Sequence, residues 1–188
     1  KGEFLEKMLK IQKINSFYAF EPQKNIFSEL NEKFSKNKKI TLFNFAMDKE
    51  ITNKKLKINK LSMTSSLAEI NESSLYLKFK NFLTQAKSNF EDEYEVQTNT
   101  VDKIFEGTSL KKTLLKIDVE GFEISVIKGS QIKLREIPFI LLENQFGNHY
   151  KNNNFNDIIK FLSEKNFIIC KKFLFPTLHY QDVLFKKI

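Results

Sequence analysis

The sequence predicts an α/β fold: a mostly parallel sheet with helices on both faces, ending in a C-terminal antiparallel hairpin. Three observations predict it. Short apolar runs alternate with amphipathic segments along the chain, several of those runs are apolar on both faces, and the last two are joined by a single proline-containing loop. A strand buried on both faces needs a helix on each side, which the alternation supplies.

The elements follow in order. "NSFYAF" (Asn15 to Phe20) is an aromatic-rich run with the pattern of a buried strand, and it stops at Glu21-Pro22. "NIFSELNEKF" sets Ile26, Leu30 and Phe34 at four-residue spacing, an amphipathic helix. "KITLFNFAM" (Lys39 to Met47) is the following strand, closed by Asp48-Lys49. "KKLKINK" alternates strictly and predicts a half-exposed strand; Asn71 to Asn89 is charged and mostly helical; "YEVQTNTV" is extended again. "TLLKID" (Thr113 to Asp118) has the strongest buried-strand pattern, and "FEISVIKG" predicts a helix with Phe122, Val126 and Ile127 inward and Gly129 as its stop. "PFILLE" (Pro138 to Glu143) is a third core strand and "FNDIIKFLSEKN" a third helix. "FIICKKF" and "DVLFKK" are the hairpin strands on either side of Pro176.

At 188 residues, 41% of them hydrophobic, the chain is expected to form one domain over residues 1–188. No run reaches the roughly eighteen consecutive apolar residues of a membrane span. The single Cys170 excludes a disulfide framework or a cysteine zinc site within the chain, so a reducing, cytoplasmic setting is expected. The net charge of +8 rests almost entirely on scattered lysine. Arg135 is the only arginine, and bidentate recognition of phosphate and guanine favours arginine, so no nucleic-acid partner is expected.

In an open α/β sheet, ligands bind outside the carboxyl ends of the strands. Glu21, Asp48, Asp118 with Glu120, and Glu143 with Asn144 each fall just after a strand. Four acidic strand ends gathered at one rim repel one another unless a cation or sugar hydroxyls lie among them. Each acid taken singly also reads as a helix cap, Asp118 or Glu120 for the helix that follows them. Gly121, having no Cβ, permits a tight strand-to-helix turn and a close approach of backbone to ligand.

"YAFEP", "AMDKE", "TSSL", "VQTNTVDKIF", "LLKIDVEGFEISVIKGS" and "FILLEN", in this order, resemble the FkbM-type methyltransferases over essentially the whole chain. "KIDVEGFEISVIKG" is the most specific of these stretches. The resemblance implies a Rossmann-like class I fold that uses S-adenosyl-L-methionine and commonly methylates a hydroxyl of a sugar or secondary metabolite. The expected partner is therefore a small-molecule or glycan acceptor. Glu21 is expected to accept hydrogen bonds from both ribose hydroxyls, with Pro22 turning the chain, Met47 packing on adenine and Asp48 accepting from its amino group. Asp118 would sit beside the transferable methyl, and Glu120 would face the acceptor as hydrogen-bond acceptor or base. Ser65, Ser66 and Glu143 are candidate acceptor contacts, and His149 is a second candidate base. Glu143 and Asn144 with Asp118 would also make an oxygen-rich divalent-metal site, but no metal is expected.

The family opens with a hydrophobic strand and a glycine-rich loop that cradles the methionine end of the cofactor, whereas this sequence starts at "KGEFLEKML". Gly2 reads as the last glycine of that loop, and the domain is expected to be truncated at its N-terminus. The first strand would belong between the strand ending at Phe20 and the one ending at Asp118. Two other functions stay open. A dinucleotide oxidoreductase would use the same acid on ribose but needs a complete GxGxxG, which is absent. A non-catalytic binding module would keep the fold without the chemistry. The oligomeric state is not legible.

Overall fold

The alternating pattern is realised as a mixed α/β fold in a computed structural model that describes residues 2–59, 65–68, 90–145, 150, 154–174 and 180–188. The helical stretch expected from Asn71 to Asn89, together with His149 and Pro176, lies outside the described residues. The elements run α1 (Glu3–Leu9), β1 (Phe17–Phe20), α2 (Lys24–Phe34), β2 (Ile40–Phe43), β3 (Ala46–Met47), β4 (Asn53–Asn59), β5 (Ser65–Ser66) and β6 (Phe90–Asn99). They continue with α3 (Val101–Ile104), β7 (Leu114–Ile117), α4 (Glu123–Lys128), a 3-10 turn (Lys133–Arg135), β8 (Phe139–Gln145), α5 (Phe155–Ser163), β9 (Phe167–Leu174) and β10 (Tyr180–Lys187).

Where one sheet was expected, the described strands form three: β1-β2, β7-β8-β10-β9 and β3-β6-β4-β5. The pairs β1-β2, β7-β8 and β3-β6 are parallel. The C-terminal hairpin is antiparallel as expected, with β10 lying between β8 and β9. No helix among the described residues is long and apolar enough to cross a membrane.

Local chemistry explains the arrangement. α2 buries Ile26, Leu30 and Phe34, the residues picked out by spacing, against Leu5 and Leu9 of α1 and Ile40 and Leu42 of β2. The run Lys39 to Met47, expected as one strand, is broken at Asn44-Phe45. Asn44 Nδ2 donates to the carbonyls of Glu21 (2.8 Å) and Pro22 (3.3 Å), so the chain leaves β2 to brace the end of β1. β3 then joins a different sheet by pairing with β6. Gly129 does end α4, but its φ of −81° is open to any residue. Glycine is needed there because a Cβ would collide with the backbone carbonyl of Asp48.

The main core gathers Ile117, Val126, Ile127, Ile140, Leu142 and Val183 from β7, α4, β8 and β10. Each such side chain contributes about 1.5–3 kcal/mol by leaving water. Phe20 packs against the same core, and Tyr18 meets Phe105 edge-on with ring centroids 5.0 Å apart, so the β1-β2 sheet is joined to it.

Candidate functional site

The register of β7 on β8 builds the site. Ile117 lies opposite Leu142, so the next residue on each strand, Asp118 and Glu143, stand side by side at the carboxyl ends of a parallel pair. The chain then turns sharply, with Glu120 at φ 52° and Gly121 at φ 90°. Glycine adopts such angles freely, whereas a non-glycine residue held there costs on the order of 1–3 kcal/mol. α4 starts with Phe122 as its N-cap and no side-chain cap, so neither Asp118 nor Glu120 plays that part. The loop amides turn instead to Glu123, whose buried Oε1 accepts from Gly121 N (3.1 Å) and Val119 N (3.4 Å).

One carboxylate oxygen each of Asp118, Glu120 and Glu143 lies within 4.8 Å of the others, a spacing able to hold a cation. The chain supplies partners of its own. Lys116 Nζ pairs with Asp118 Oδ2 at 2.6 Å. Gln145 Nε2 donates to Glu120 Oε2 and, at 3.3 Å, to Glu143 Oε1, and the Tyr150 hydroxyl donates to the same Glu120 Oε2 at 3.3 Å. Burial, and after it the Asp118 charge, pushes Glu143 up to about 7. Asp182, opposite Glu143 on β10, is also raised, by burial first and by Asp118. Gly121 has a packing reason as well as a conformational one, since a Cβ there would overlap the Tyr150 ring.

The sequence model of the methyltransferase FkbM domain matches the chain over residues 3–169. The chain belongs to the FkbM methyltransferase family. No curated protein and no solved structure gives a significant match. The span matched to the FkbM domain holds Glu21 and the whole acidic trio, while β10 with Asp182 lies beyond it.

The other residues expected to serve this FkbM methyltransferase are placed as follows. Glu21 follows β1, half-buried, and its Oε1 accepts from Gln23 N at 2.8 Å across the Pro22 turn. Met47 is buried and Asp48 fully so, with the Asp48 carboxylate paired to Lys54 and accepting from Lys49 N at 2.6 Å. Gly2, at φ 72°, precedes α1, and a Cβ there would press on Leu30 and Phe34 of α2 at 2.8 and 2.9 Å. Ser66 is fully buried, donating to the Glu120 carbonyl at 2.6 Å and accepting from Ala68 N at 2.9 Å, while Ser65 pairs with Ile58 on β4. The trio therefore unites Asp118, Glu120 and Glu143 without Glu21 or Asp48. Lys116, Gln145, Tyr150 and Glu123 were not anticipated. Lys116 and Gln145 carried a signal, since each lies two residues along its strand from a predicted acid and so shares its face.

The raised acids give stability a pH dependence. Burial lifts both Glu123 and Glu143 from 4.5 to about 7, so the folded state retains protons that the unfolded state has released. Their favourable contribution is complete below 4.5 and is lost as pH rises through about 7. The depressed acids Glu6, Glu93, Glu106 and Glu136 act in the opposite sense, but only below 4.5. Urea midpoints should fall between those two pH values, and Glu143→Gln should flatten the fall. A midpoint that rises over the window would contradict the assignment.

Proposed function

We propose that the chain transfers a methyl group from S-adenosyl-L-methionine to a hydroxyl of a sugar or other small molecule, at the carboxyl ends of β1, β7 and β8. The observation that carries this reading is the Asp118, Glu120 and Glu143 trio at the ends of a parallel strand pair, with Glu120 in a strained conformation. Strain at a ligand-facing turn is sustained only where surrounding contacts enforce it. When bound, the cofactor supplies an electrophilic methyl on a sulfonium centre. Glu21 suits the ribose end, because a carboxylate at a strand end accepts from two adjacent hydroxyls. Asp118 orients the reactants, and Glu120 takes the proton of the acceptor hydroxyl. Glu143, protonated up to about pH 7, donates to an acceptor oxygen without adding a further charge. In this reading Met47 and Asp48, both buried and Asp48 paired to Lys54, serve chiefly to hold the chain.

In this reading β2-β1 and β7-β8 belong to one Rossmann-like sheet, which their parallel pairing and the core shared by Phe20 and Ile117 support. The setting is reducing and cytoplasmic, in keeping with the lone Cys170, and a lysine-based charge brings no nucleic-acid partner. Calorimetry with S-adenosylhomocysteine and with NAD tests the reading, the former binding and the latter not. Glu21→Gln should weaken S-adenosylhomocysteine about 10- to 100-fold, since a charge-assisted hydrogen bond is worth about 1.5–3 kcal/mol. An unchanged dissociation constant would remove Glu21 from the site.

A further inference from the structure

We propose that Ser66, Gln145 and Tyr150 are positioning residues that clamp Glu120 in its reactive orientation, an inference that rests on the methyl-transfer reading above. The three come from separate parts of the chain, β5, β8 and the segment after β8, and converge on one residue. Ser66 fixes the backbone: its buried hydroxyl donates to the Glu120 carbonyl at 2.6 Å and itself accepts from Ala68 N at 2.9 Å. Gln145 and Tyr150 fix the side chain by donating to one oxygen, Oε2. Two donors on one oxygen define the rotation of a carboxylate, which a single donor leaves loose. Anchoring at both backbone and side chain offsets the cost of holding a residue at φ 52°. Tyr150 has a second hold, since its ring packs where Gly121 lacks a Cβ. Ser66 is thereby moved from contacting the acceptor to holding the residue that does.

The donors stabilise the charged form of Glu120, so their loss must make it easier to protonate. The test is a carbon-13 NMR titration of protein labelled at glutamate carboxyl carbons, with the Glu120 signal assigned by its absence in Glu120→Gln. Gln145→Met and Tyr150→Phe should each shift the Glu120 titration midpoint to higher pH. Gln145 also touches Glu143, with Asp118 and Lys116 alongside, so the titration is repeated in a Glu143→Gln background. Tyr150→Phe is the second arm, because it keeps the ring on Gly121 and removes only the hydroxyl. Ser66→Ala should lower the melting temperature and leave the midpoint in place. Midpoints unchanged in both donor variants would overturn the clamp. Failure of the wild type to bind S-adenosylhomocysteine would instead sink the methyl-transfer reading and leave the titration result standing.

Discussion

Glu120→Gln is expected to lower the rate of methyl transfer by about 10²- to 10⁴-fold, the usual worth of a positioned base, with a melting temperature close to that of the wild type. The fold should survive for a geometric reason. A glutamine at this position can turn its amide oxygen toward Gln145 and Tyr150, so both hydrogen bonds to Oε2 have an equivalent. The Ser66 contact is to the backbone and does not change. Asp118→Asn should also slow transfer, and it releases Lys116, whose ammonium lies 2.6 Å from Asp118 Oδ2 and 5.1 Å from the Phe4 ring. That ion pair is partly exposed, so its loss should cost little stability. The measurement is transfer of labelled methyl from S-adenosylmethionine to a panel of neutral sugars and polyols, run beside thermal melts. A variant that melts early yet transfers at the wild-type rate would make Glu120 a structural residue.

The sequence carried the parts of this site that depend on strand faces, and it missed those that depend on partners. Continuous apolar runs mark "TLLKID" and "PFILLE" as buried strands, and once the two pair in parallel Asp118 and Glu143 stand together at the strand ends. It does not tell which strand pairs with which. The run Lys39 to Met47 therefore read as one strand, although Asn44 diverts it toward Glu21 and its last residues join β6. Gly129 read as a conformational stop, whereas its constraint is a carbonyl of Asp48, 81 positions away in sequence and invisible to local propensity. Ser66 read as a ligand contact because exposed loop serines and buried latches look alike in sequence. It is fully buried and donates to the Glu120 carbonyl, which is what makes it a latch in the clamp proposed above. The capping alternative for Asp118 and Glu120 was a fair reading of acids before a helix. Glu123, one residue beyond the capping position, takes the loop amides.

Gly121→Ala is expected to cost both stability and catalysis, and the two losses have separable causes. At φ 90° an alanine costs about 1–2 kcal/mol in backbone conformation alone. Its Cβ would also overlap the Tyr150 ring, and forced overpacking adds about 1–3 kcal/mol. For a domain of this size each kcal/mol moves the melting temperature by about 2–4 °C, so a fall on the order of 10 °C is expected. Displacing the ring carries the Tyr150 hydroxyl away from Glu120 Oε2, which leaves Gln145 to hold that oxygen with one donor fewer. A double-mutant cycle isolates the steric part. In a Tyr150→Ala background there is no ring to meet, so Gly121→Ala should cost only the backbone share, and the two substitutions should be non-additive by about 1–3 kcal/mol. Strict additivity would mean that the ring does not press on Gly121, and the glycine would then be explained by its left-handed angle alone.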